Sequence, residues 1–320
     1  MTATDLSFWL ARVSEAHGRI YELVQQTPAV LIEDDPRLGS VRPYLKLEHL
    51  QKTGSFKLRG ATNKVLSLSP EEAANGVVTS STGNHALGVA TAARHRGIDT
   101  EVFVSSQVSA KKLRLIEDCG ARICSAGHTP LEAELAARVA AAATGKTYIS
   151  PYNDPYVIAG QGTVGTEVVQ QVEAINAIYV AVGGGGLIGG IGAYMKSVSP
   201  RTEVVGCWPA NSRVMYECLR AGKVIDFPEQ PTVSESTAGG VEPGSITFEL
   251  CKSVIDRSVL VAESEILDAM RWAYQRGWMI EGAAGVAVAA FFKEMSRQQD
   301  KTAVIVSCGA NASPEVTGRL

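Results

Sequence analysis

The 320-residue chain lacks the features typical of membrane-embedded and nucleic-acid-binding proteins. No uncharged apolar run approaches the length of a membrane span, and the N-terminus has no basic segment followed by an apolar one. Thirty lysines and arginines against 33 aspartates and glutamates give a net charge of −3, so no basic field attracts nucleic acid or lipid headgroups. The sequence therefore predicts a soluble, cytoplasmic protein with neither nucleic-acid nor membrane partners.

Cysteine clusters are missing as well. The six cysteines are scattered without a C-x-x-C pair or a neighbouring group of histidines, so neither a zinc site nor a disulfide framework is indicated. They are Cys119, Cys124, Cys207, Cys218, Cys251 and Cys308. Several lie in apolar runs, where cysteine serves as a small core residue in a reducing compartment.

What the chain does contain is an alternation of short apolar strands with longer helices. This alternation predicts an α/β fold with mostly parallel, twisted sheets flanked by helices. The length predicts two lobes with separate cores, and the turn at Ser150–Pro155 predicts a lobe boundary. Helices are expected over Asp5–Gln25 and Gly162–Val172. The stretch Phe227–Gly244 is predicted to be irregular, with no further element before a strand at Ser258–Val261.

The glycine run Gly183–Gly186 follows an apolar segment and precedes a second one, an order that predicts strand, turn and helix. Glycines let the backbone approach a ligand closely, and the helix N-terminus adds partial positive charge, so the loop predicts a phosphate site. A sterically tight turn is the simpler alternative, but four consecutive glycines exceed what a turn requires.

The same loop contains the dinucleotide pattern Gly184-x-Gly186-x-x-Gly189, with Glu203 at about the distance of a ribose-binding acid. Glu203 begins the next predicted strand, however, whereas a ribose partner belongs at a strand's end. No Lys-Ser or Lys-Thr follows the glycines, which excludes a P-loop. A smaller phosphate ligand fits better, and a nicotinamide-linked oxidoreductase remains the alternative.

Lys57 lies between Phe56 and Leu58 in a stretch otherwise suited to burial. A buried lysine is costly unless it is paired, neutral or covalently used, and a neutral amine can form a Schiff base with an aldehyde. Taken alone, a surface lysine with a buried stem is the simpler interpretation. An aldehyde-reactive amine together with a phosphate site indicates pyridoxal phosphate as the cofactor.

Two more polar positions follow predicted strands. The segment Ser80–His85 offers hydroxyls, an amide and free N–H groups at a helix N-terminus, which suits the carboxylate of an amino acid. An ordinary N-cap would explain one polar residue there but not five. Cys308 ends another strand and either faces a crevice at the strand ends or packs in the core.

These motifs resemble the serine/threonine dehydratase family, which comprises fold-type II, tryptophan-synthase-β-like enzymes that depend on pyridoxal phosphate. The similarity covers Thr53–Ala61, Ser81–Ala86, Ile158–Thr163, Gly183–Gly186, Glu281–Val286 and Cys308–Asn311. It therefore spans nearly the whole chain. The resemblance implies a large domain over residues 1–78 and 151–320, a small mobile domain over 79–150, and a homo-oligomer, either dimer or tetramer.

The resemblance also implies the role of each site residue. Lys57 is the catalytic residue that carries the cofactor as a Schiff base and then moves the α-proton. The other cofactor-binding residues are Phe56 beside the cofactor, Asn84 at its ring oxygen, Gly183, Gly184, Gly185, Gly186 and Leu187 at its phosphate, Cys308 at its ring nitrogen, and Glu281. The substrate carboxylate is bound by Ser81, Thr82, Asn84 and His85.

The activity implied is β-elimination from a β-hydroxy-α-amino acid such as L-threonine or L-serine, which gives a 2-oxo acid and ammonia. The stretch Ser236–Gly244 differs from ordinary threonine dehydratases and suggests a specialised substrate, such as a hydroxyectoine-pathway intermediate, phenylserine or hydroxyaspartate. An amino acid racemase is a further alternative, although Thr82 stands where serine racemases carry a serine. A non-catalytic amino acid sensor would keep the fold without the chemistry.

Two absences are expected from the same resemblance. No C-terminal regulatory domain follows the Cys308 motif, so end-product inhibition is not expected. No metal site is expected either, because Trp208 and Arg213 stand where related enzymes carry carboxylate ligands, and a hard cation needs several oxygens. Arg213 is predicted to pair with Glu217 one turn later.

Overall fold

The computed structural model describes residues 4–106 and 110–320. The strands are β1 (Ala29–Leu31), β2 (Arg42–Lys46), β3 (Val77–Ser80), β4 (Thr100–Val104), β5 (Arg122–Ser125), β6 (Thr147–Tyr148), β7 (Ile175–Ala181), β8 (Glu203–Pro209), β9 (Arg257–Val261) and β10 (Thr302–Val306). The helices are α1 (Leu6–Ile20), α2 (Lys57–Ser67), α3 (Pro70–Asn75), α4 (Asn84–Arg96), α5 (Ala110–Glu117), α6 (Pro130–Thr144), α7 (Pro155–Gln171), α8 (Gly186–Val198), α9 (Val214–Ala221), α10 (Ile246–Val254), α11 (Glu263–Tyr274), α12 (Gly282–Lys293) and α13 (Pro314–Thr317).

These strands form two sheets. One has the order β1-β2-β10-β7-β8-β9, with every pair parallel except β1 and β2. The other has the order β5-β4-β3-β6 and is parallel throughout. The predicted α/β class with mostly parallel sheets is therefore confirmed. The antiparallel edge pair arises because β2 follows β1 through a turn, and parallel neighbours need a longer crossover.

The main core surrounds the six-stranded sheet, where β10 is buried along its whole length. Such a strand has helices on both faces, which is why its sequence is an uninterrupted apolar run. The four-stranded sheet has separate, smaller clusters against α4 and α6. No helix among residues 4–106 and 110–320 is both long and apolar enough to cross a membrane.

Helix α7 begins at Pro155, seven residues before the predicted start. The Asp154 carboxylate accepts hydrogen bonds from the N–H groups of Tyr156 and Val157 at 2.7 and 3.0 Å, and Pro155 occupies the first helical position. A Cβ on Gly160 would lie 2.6 Å from the Arg59 carbonyl oxygen, so this glycine permits close packing onto α2. Glycine weakens the local helical pattern, and tertiary packing overrides it.

Three short helices, α3, α10 and α13, were not predicted from the sequence. Helix α3 is six residues long and is stabilised by a capping box between Ser69 and Glu72. Helix α10 follows Gly244 directly and buries Leu250, Cys251 and Val254. Its nine residues give too short a pattern to separate it from the irregular stretch before it. Helix α1 ends at Ile20 rather than Gln25.

The carboxyl ends of parallel strands carry the motifs found in the sequence. Strand β3 leads to Ser81–His85, β7 to the glycine run, and β10 to Cys308. Strand β2 leads, through a 3-10 turn at Glu48–Leu50, to Lys57 at the start of α2. Strands β2, β7 and β10 belong to one sheet, so the topology places their motifs on the same edge. Strand β3 belongs to the other sheet, and the packing of the two sheets brings its motif to the same crevice.

Candidate active site

A cavity of about 1050 Å³ lies at these strand ends. It is lined by every residue that the sequence singled out for the site, namely Phe56, Lys57, Ser81, Thr82, Asn84, His85, Gly183, Gly184, Gly185, Gly186, Leu187, Glu281 and Cys308. Motifs separated by more than 250 residues in the chain therefore meet in one place. The roles assigned to them remain predictions, and the geometry below shows what each position can do.

The glycine loop is packed so closely by its neighbours that it has no room for side chains. Gly185 has φ +86°, and α8 begins at the next residue. A Cβ on Gly184 would lie 2.5 Å from the Tyr152 ring, and one on Gly183 would lie 2.9 Å from the Thr237 carbonyl oxygen. The bare backbone and the N-terminus of α8 thus line the cavity together, which is the arrangement that binds a phosphate.

Lys57 is the first residue of α2, and its Nζ donates a hydrogen bond to the Pro151 carbonyl oxygen at 2.7 Å. Burial by the surrounding protein lowers the pKa of this amine to about 8, while the Glu281 carboxylate opposes the shift. About a tenth of Lys57 is therefore neutral and nucleophilic at pH 7, far more than for a lysine of ordinary pKa. This matches the predicted need for an aldehyde-reactive amine.

The reactivity of Lys57 should follow this pKa. In the cofactor-free protein, acylation of Lys57 by an amine-selective reagent should accelerate as the pH rises and level off above about 8, because only the neutral amine reacts. The measurement is peptide mapping by mass spectrometry after brief labelling between pH 6 and 10, with exposed Lys223 as an internal reference. A Lys57 rate that still rises steeply above pH 9.5 would contradict the buried position of its amine.

The Ser81–His85 loop leads into the N-terminus of α4. Gly83 at the cap position has no side chain to satisfy the first helical N–H groups, so these donors remain available to an anion. His85 Nε2 lies 3.1 Å from the Ile149 carbonyl oxygen and must carry the proton, since a carbonyl only accepts. Burial lowers the pKa of His85 to about 3, so its ring is neutral. The charge for binding a carboxylate here thus comes from the helix terminus rather than from an imidazolium.

Asn84, Glu281 and Asn311 form a hydrogen-bonded chain along the cavity wall. Asn84 Nδ2 donates to Glu281 Oε2 at 2.8 Å and lies 3.1 Å from Oε1, while Asn84 Oδ1 accepts from Asn311 Nδ2 at 2.7 Å. Glu281 is buried, which raises its pKa, and the Asn84 and Ser236 side chains lower it by hydrogen bonding. These hydrogen bonds join three motifs that are distant in sequence.

Cys308 follows β10 and is buried at the cavity floor. Burial, reinforced by the nearby Glu281 carboxylate, holds the pKa of the thiol well above its usual value, so Cys308 stays a neutral thiol. Its carbonyl oxygen accepts a hydrogen bond from the Phe56 N–H at 3.0 Å, and Ser55 and Gly309 form a β-bridge. The Lys57 segment and the Cys308 segment are therefore held side by side by their backbones.

A fully buried cluster of charges lies directly behind Lys57. Arg59 donates to Glu48 through Nε and Nη2 at 2.7 and 2.8 Å, and to Glu167 through Nη1 and Nη2 at 2.6 and 2.8 Å. Lys46 Nζ donates to Glu167 Oε2 at 2.5 Å. Two cations thus face two carboxylates, and the cluster joins the start of α2 to α7 and to the end of β2.

Sequence reasoning missed part of the cavity lining. Tyr152 lies over the glycine loop and accepts a hydrogen bond from the Glu242 N–H at 2.9 Å. The segment Glu235–Gly240 also lines the cavity. Both had a local signal, since Tyr152 is in the predicted boundary turn and the other segment is in the stretch that departs from ordinary threonine dehydratases. Neither feature of the sequence indicated that Tyr152 or the segment Glu235–Gly240 lines the cavity.

The expectation of no metal site concerns the segment after β8. Trp208 is buried and packs edge-on against Tyr216, and the predicted ion pair is confirmed, with Arg213 Nε 2.9 Å from Glu217 Oε1. In the part of the chain that the structure describes, no group of three or more histidine, cysteine, aspartate or glutamate side chains is arranged to hold a metal ion. Independence from metals remains a prediction.

A family model described as "Pyridoxal-phosphate dependent enzyme" matches residues 20–309. The chain belongs to this family. A curated member, the L-threonine ammonia-lyase of Thermotoga maritima, is 37% identical over 312 residues, which cover 97% of this chain and 77% of that protein.

Solved structures of a threonine deaminase and a serine racemase show the same fold. The processed form of threonine deaminase isoform 2 from Solanum lycopersicum gives a TM-score of 0.93 at 33% identity, covering 98% of this chain and 92% of that one. Maize serine racemase gives a TM-score of 0.90 at 28% identity, covering 97% and 95%. The fold-type II architecture predicted from the motifs is confirmed.

The cavity fits the cofactor of this family. Pyridoxal phosphate has a phosphate, an aldehyde, a ring oxygen and a ring nitrogen, and each of these needs a different kind of protein group to bind it. The cavity presents a bare glycine backbone at a helix N-terminus, a buried amine of lowered pKa, an amide donor and a thiol. Each requirement therefore has a matching group on the wall of the same cavity.

Proposed function

We propose that the protein is a pyridoxal-phosphate dependent ammonia-lyase that acts on a β-hydroxy-α-amino acid such as L-threonine or L-serine. Water leaves the substrate and water adds again, so the net products are a 2-oxo acid and ammonia. The observation that carries this proposal is the position of the Lys57 amine, which lies in one cavity with a phosphate-binding glycine loop and a carboxylate-binding helix terminus. The threonine-specific names of its relatives support the substrate class.

In this proposal each group on the wall has one task. The N–H groups of Gly183–Leu187 would hold the cofactor phosphate, Asn84 would donate to the ring oxygen, and Cys308 would face the ring nitrogen. Glu281 fixes the Asn84 amide, and Phe56 packs beside the ring. When bound, the cofactor supplies an electron sink for the charge left by the departing α-proton.

Substrate handling falls to the residues on the other side of the cavity. The substrate carboxylate would be bound by the hydroxyls of Ser81 and Thr82 and by the free N–H groups in the first turn of α4. Lys57 Nζ then takes the proton from the substrate α-carbon, and its lowered pKa keeps a neutral amine available for this step. The enclosing walls exclude water from the reacting carbon.

We also infer a division of the chain into a large domain, residues 1–78 and 151–320, and a small mobile domain, residues 79–150. The four-stranded sheet lies almost entirely in the small domain. Among the described residues one ion pair joins the two, between Arg138 Nη2 and Glu242 Oε2 at 2.8 Å. A partly exposed pair of this kind opposes a hinge motion only weakly, so the motion would mainly have to shift the Asn84 hydrogen bonds to Glu281 and Asn311 and the packing of α4 on α2.

We infer further that the enzyme is a cytoplasmic homo-oligomer. All six cysteines are unpaired, as expected in a reducing compartment. Leu131, Leu135 and Val139 are 65%, 55% and 69% exposed on one face of α6, and such apolar stripes favour association. Sedimentation analysis should show a dimer or tetramer, and a monomer at micromolar concentration would refute this inference.

A panel of substrates tests the activity itself. The purified protein with bound cofactor should release ammonia and 2-oxo acid in equal amounts from L-threonine or L-serine. The same panel should contain phenylserine, hydroxyaspartate and hydroxylated diamino acids, which represent the specialised branch. Chiral chromatography measures any D-amino acid formed, and racemisation faster than ammonia release would replace the ammonia-lyase proposal by the racemase alternative.

A further inference from the structure

Asn311 follows the Cys308 motif but has no assigned role in the site. Its Nδ2 lies 2.9 Å from the Thr53 carbonyl oxygen and 2.7 Å from Asn84 Oδ1. The segment opposite is shaped to receive it, because a Cβ on Gly54, at φ +73°, would lie 2.8 Å from Asn311 Oδ1. The Ala310 N–H also donates to the Gly54 carbonyl oxygen at 2.8 Å, which holds the two segments together.

Thr53, Asn311, Asn84 and Glu281 form a row of hydrogen bonds, and the acceptors at its two ends determine the direction of each bond. A backbone carbonyl only accepts, so the Asn311 amide must present its NH₂ group to Thr53, and the second hydrogen of that group reaches Asn84 Oδ1. Asn84 then has its own NH₂ group on the opposite side. There the Glu281 carboxylate accepts from it at 2.8 Å. Acceptors at both ends thus leave one orientation for both amides.

This orientation matters for the cofactor. Asn84 Nδ2 lies 2.8 and 3.1 Å from the two Glu281 oxygens and also lines the cavity. If the two Glu281 oxygens share one hydrogen, the second hydrogen of this NH₂ group can donate to a bound group. A ring oxygen of a pyridoxal group bears negative charge and needs a donor. Rotation of the Asn84 amide by a half turn would present its carbonyl oxygen instead, and the interaction would become repulsive.

We propose that Asn311 is a positioning residue, which holds the Asn84 amide with its NH₂ group towards the cofactor's ring oxygen. The inference rests on the proposed function only in naming that cofactor. Asn311 acts on the cofactor indirectly, by orienting the Asn84 side chain. Its contribution therefore concerns the affinity of the site for pyridoxal phosphate and not the stability of the fold.

The test is the variant Asn311→Asp, which keeps the shape but replaces the donor by a carboxylate. That carboxylate repels the Thr53 carbonyl oxygen and Asn84 Oδ1. Asn84 then has an acceptor on both sides, residue 311 and Glu281, so its amide no longer has one fixed orientation. The dissociation constant for pyridoxal phosphate, measured by equilibrium dialysis against the cofactor-free protein, should rise on the order of tenfold to a hundredfold. Asn311→Ala, which removes the tie without adding charge, should cause a smaller rise in the same direction.

The control is Asn211→Asp, which makes the same chemical change at a partly exposed asparagine that is bonded to the Pro231 carbonyl oxygen and does not line the cavity. Its dissociation constant should equal that of the unmodified protein. The melting temperature of the cofactor-free Asn311→Asp protein should fall only slightly, because residue 311 is exposed and water can solvate the new carboxylate. An affinity within twofold of the unmodified protein would overturn the proposal, and so would a loss of affinity accompanied by an equal loss of apo-protein stability. Since binding is measured without turnover, failure of this inference is distinct from failure of the ammonia-lyase proposal.

Discussion

Lys57→Ala should abolish turnover and leave the fold intact. The substitution removes the amine that both attaches the cofactor and takes the α-proton, so the loss should be on the order of 10³-fold or more. The cavity gains space, and the interactions removed are the hydrogen bond to the Pro151 carbonyl oxygen and the contact of Nζ with the Phe56 ring. Ammonia release measures the first effect and circular dichroism the second. The visible absorption of the lysine-linked cofactor should disappear as well.

The matched control is Lys52→Ala, which removes an exposed lysine five residues earlier. It should retain both the visible absorption and the activity. Borohydride reduction of the unmodified protein followed by peptide mapping gives an independent assignment, because it attaches the cofactor permanently to the lysine that carries it. Attachment of the cofactor to any other lysine would contradict the assignment of Lys57.

Arg59→Met should cause the largest loss of stability. The substitution leaves the Glu48 and Glu167 carboxylates buried with Lys46 as the remaining cation, and breaking a buried ion pair from one side costs about 3–5 kcal/mol of unfolding free energy. Arg59→Lys should also be destabilising. An ammonium group cannot donate to two carboxylates in the forked geometry that the guanidinium adopts here. Urea unfolding followed by circular dichroism measures both effects.

Arg220→Met provides the comparison, because it removes an exposed arginine paired with Glu217 and should change the unfolding free energy by no more than about 1 kcal/mol. Adding Glu48→Gln to Arg59→Met should restore part of the lost stability, since it removes one of the uncompensated buried charges. If Arg59→Met unfolds at the same urea concentration as the unmodified protein, the cluster does not stabilise the fold in the way argued.

Long, strongly patterned segments allowed most of the fold to be predicted. Strands β4 and β10 are short apolar runs, and α6 is one of the longer helices that alternate with them, as the sequence predicts. Buried parallel strands are short apolar runs, and α6 begins at a proline after a threonine cap. Prediction failed where the local pattern is weak. Helix α10 is too short to show its period. Helix α7 begins at an Asp154–Pro155 cap inside the predicted boundary turn, and Gly160, which permits packing against α2, weakens the helical pattern after it.

The sequence by itself determined the chemistry of the site. A lysine in an apolar setting and a glycine run between strand and helix each have few physical uses, so residue type and order alone indicated an aldehyde-bearing phosphate cofactor. The same reasoning rejected a ribose-binding role for Glu203, and in the structure this residue does begin β8. Such inferences succeed because they depend on neighbours along the chain.

Only the tertiary structure decided which groups touch. The pairing of Arg59 with Glu48 and Glu167, the burial that lowers the pKa of Lys57 to about 8, and the position of Tyr152 over Gly184 all depend on segments distant in sequence. Hydrogen bonds act over about 3 Å and desolvation depends on what surrounds an atom, so neither follows from residue order. The orientation of the Asn84 amide shows this most clearly, because Asn311 and Glu281 set it from opposite sides of the cavity wall.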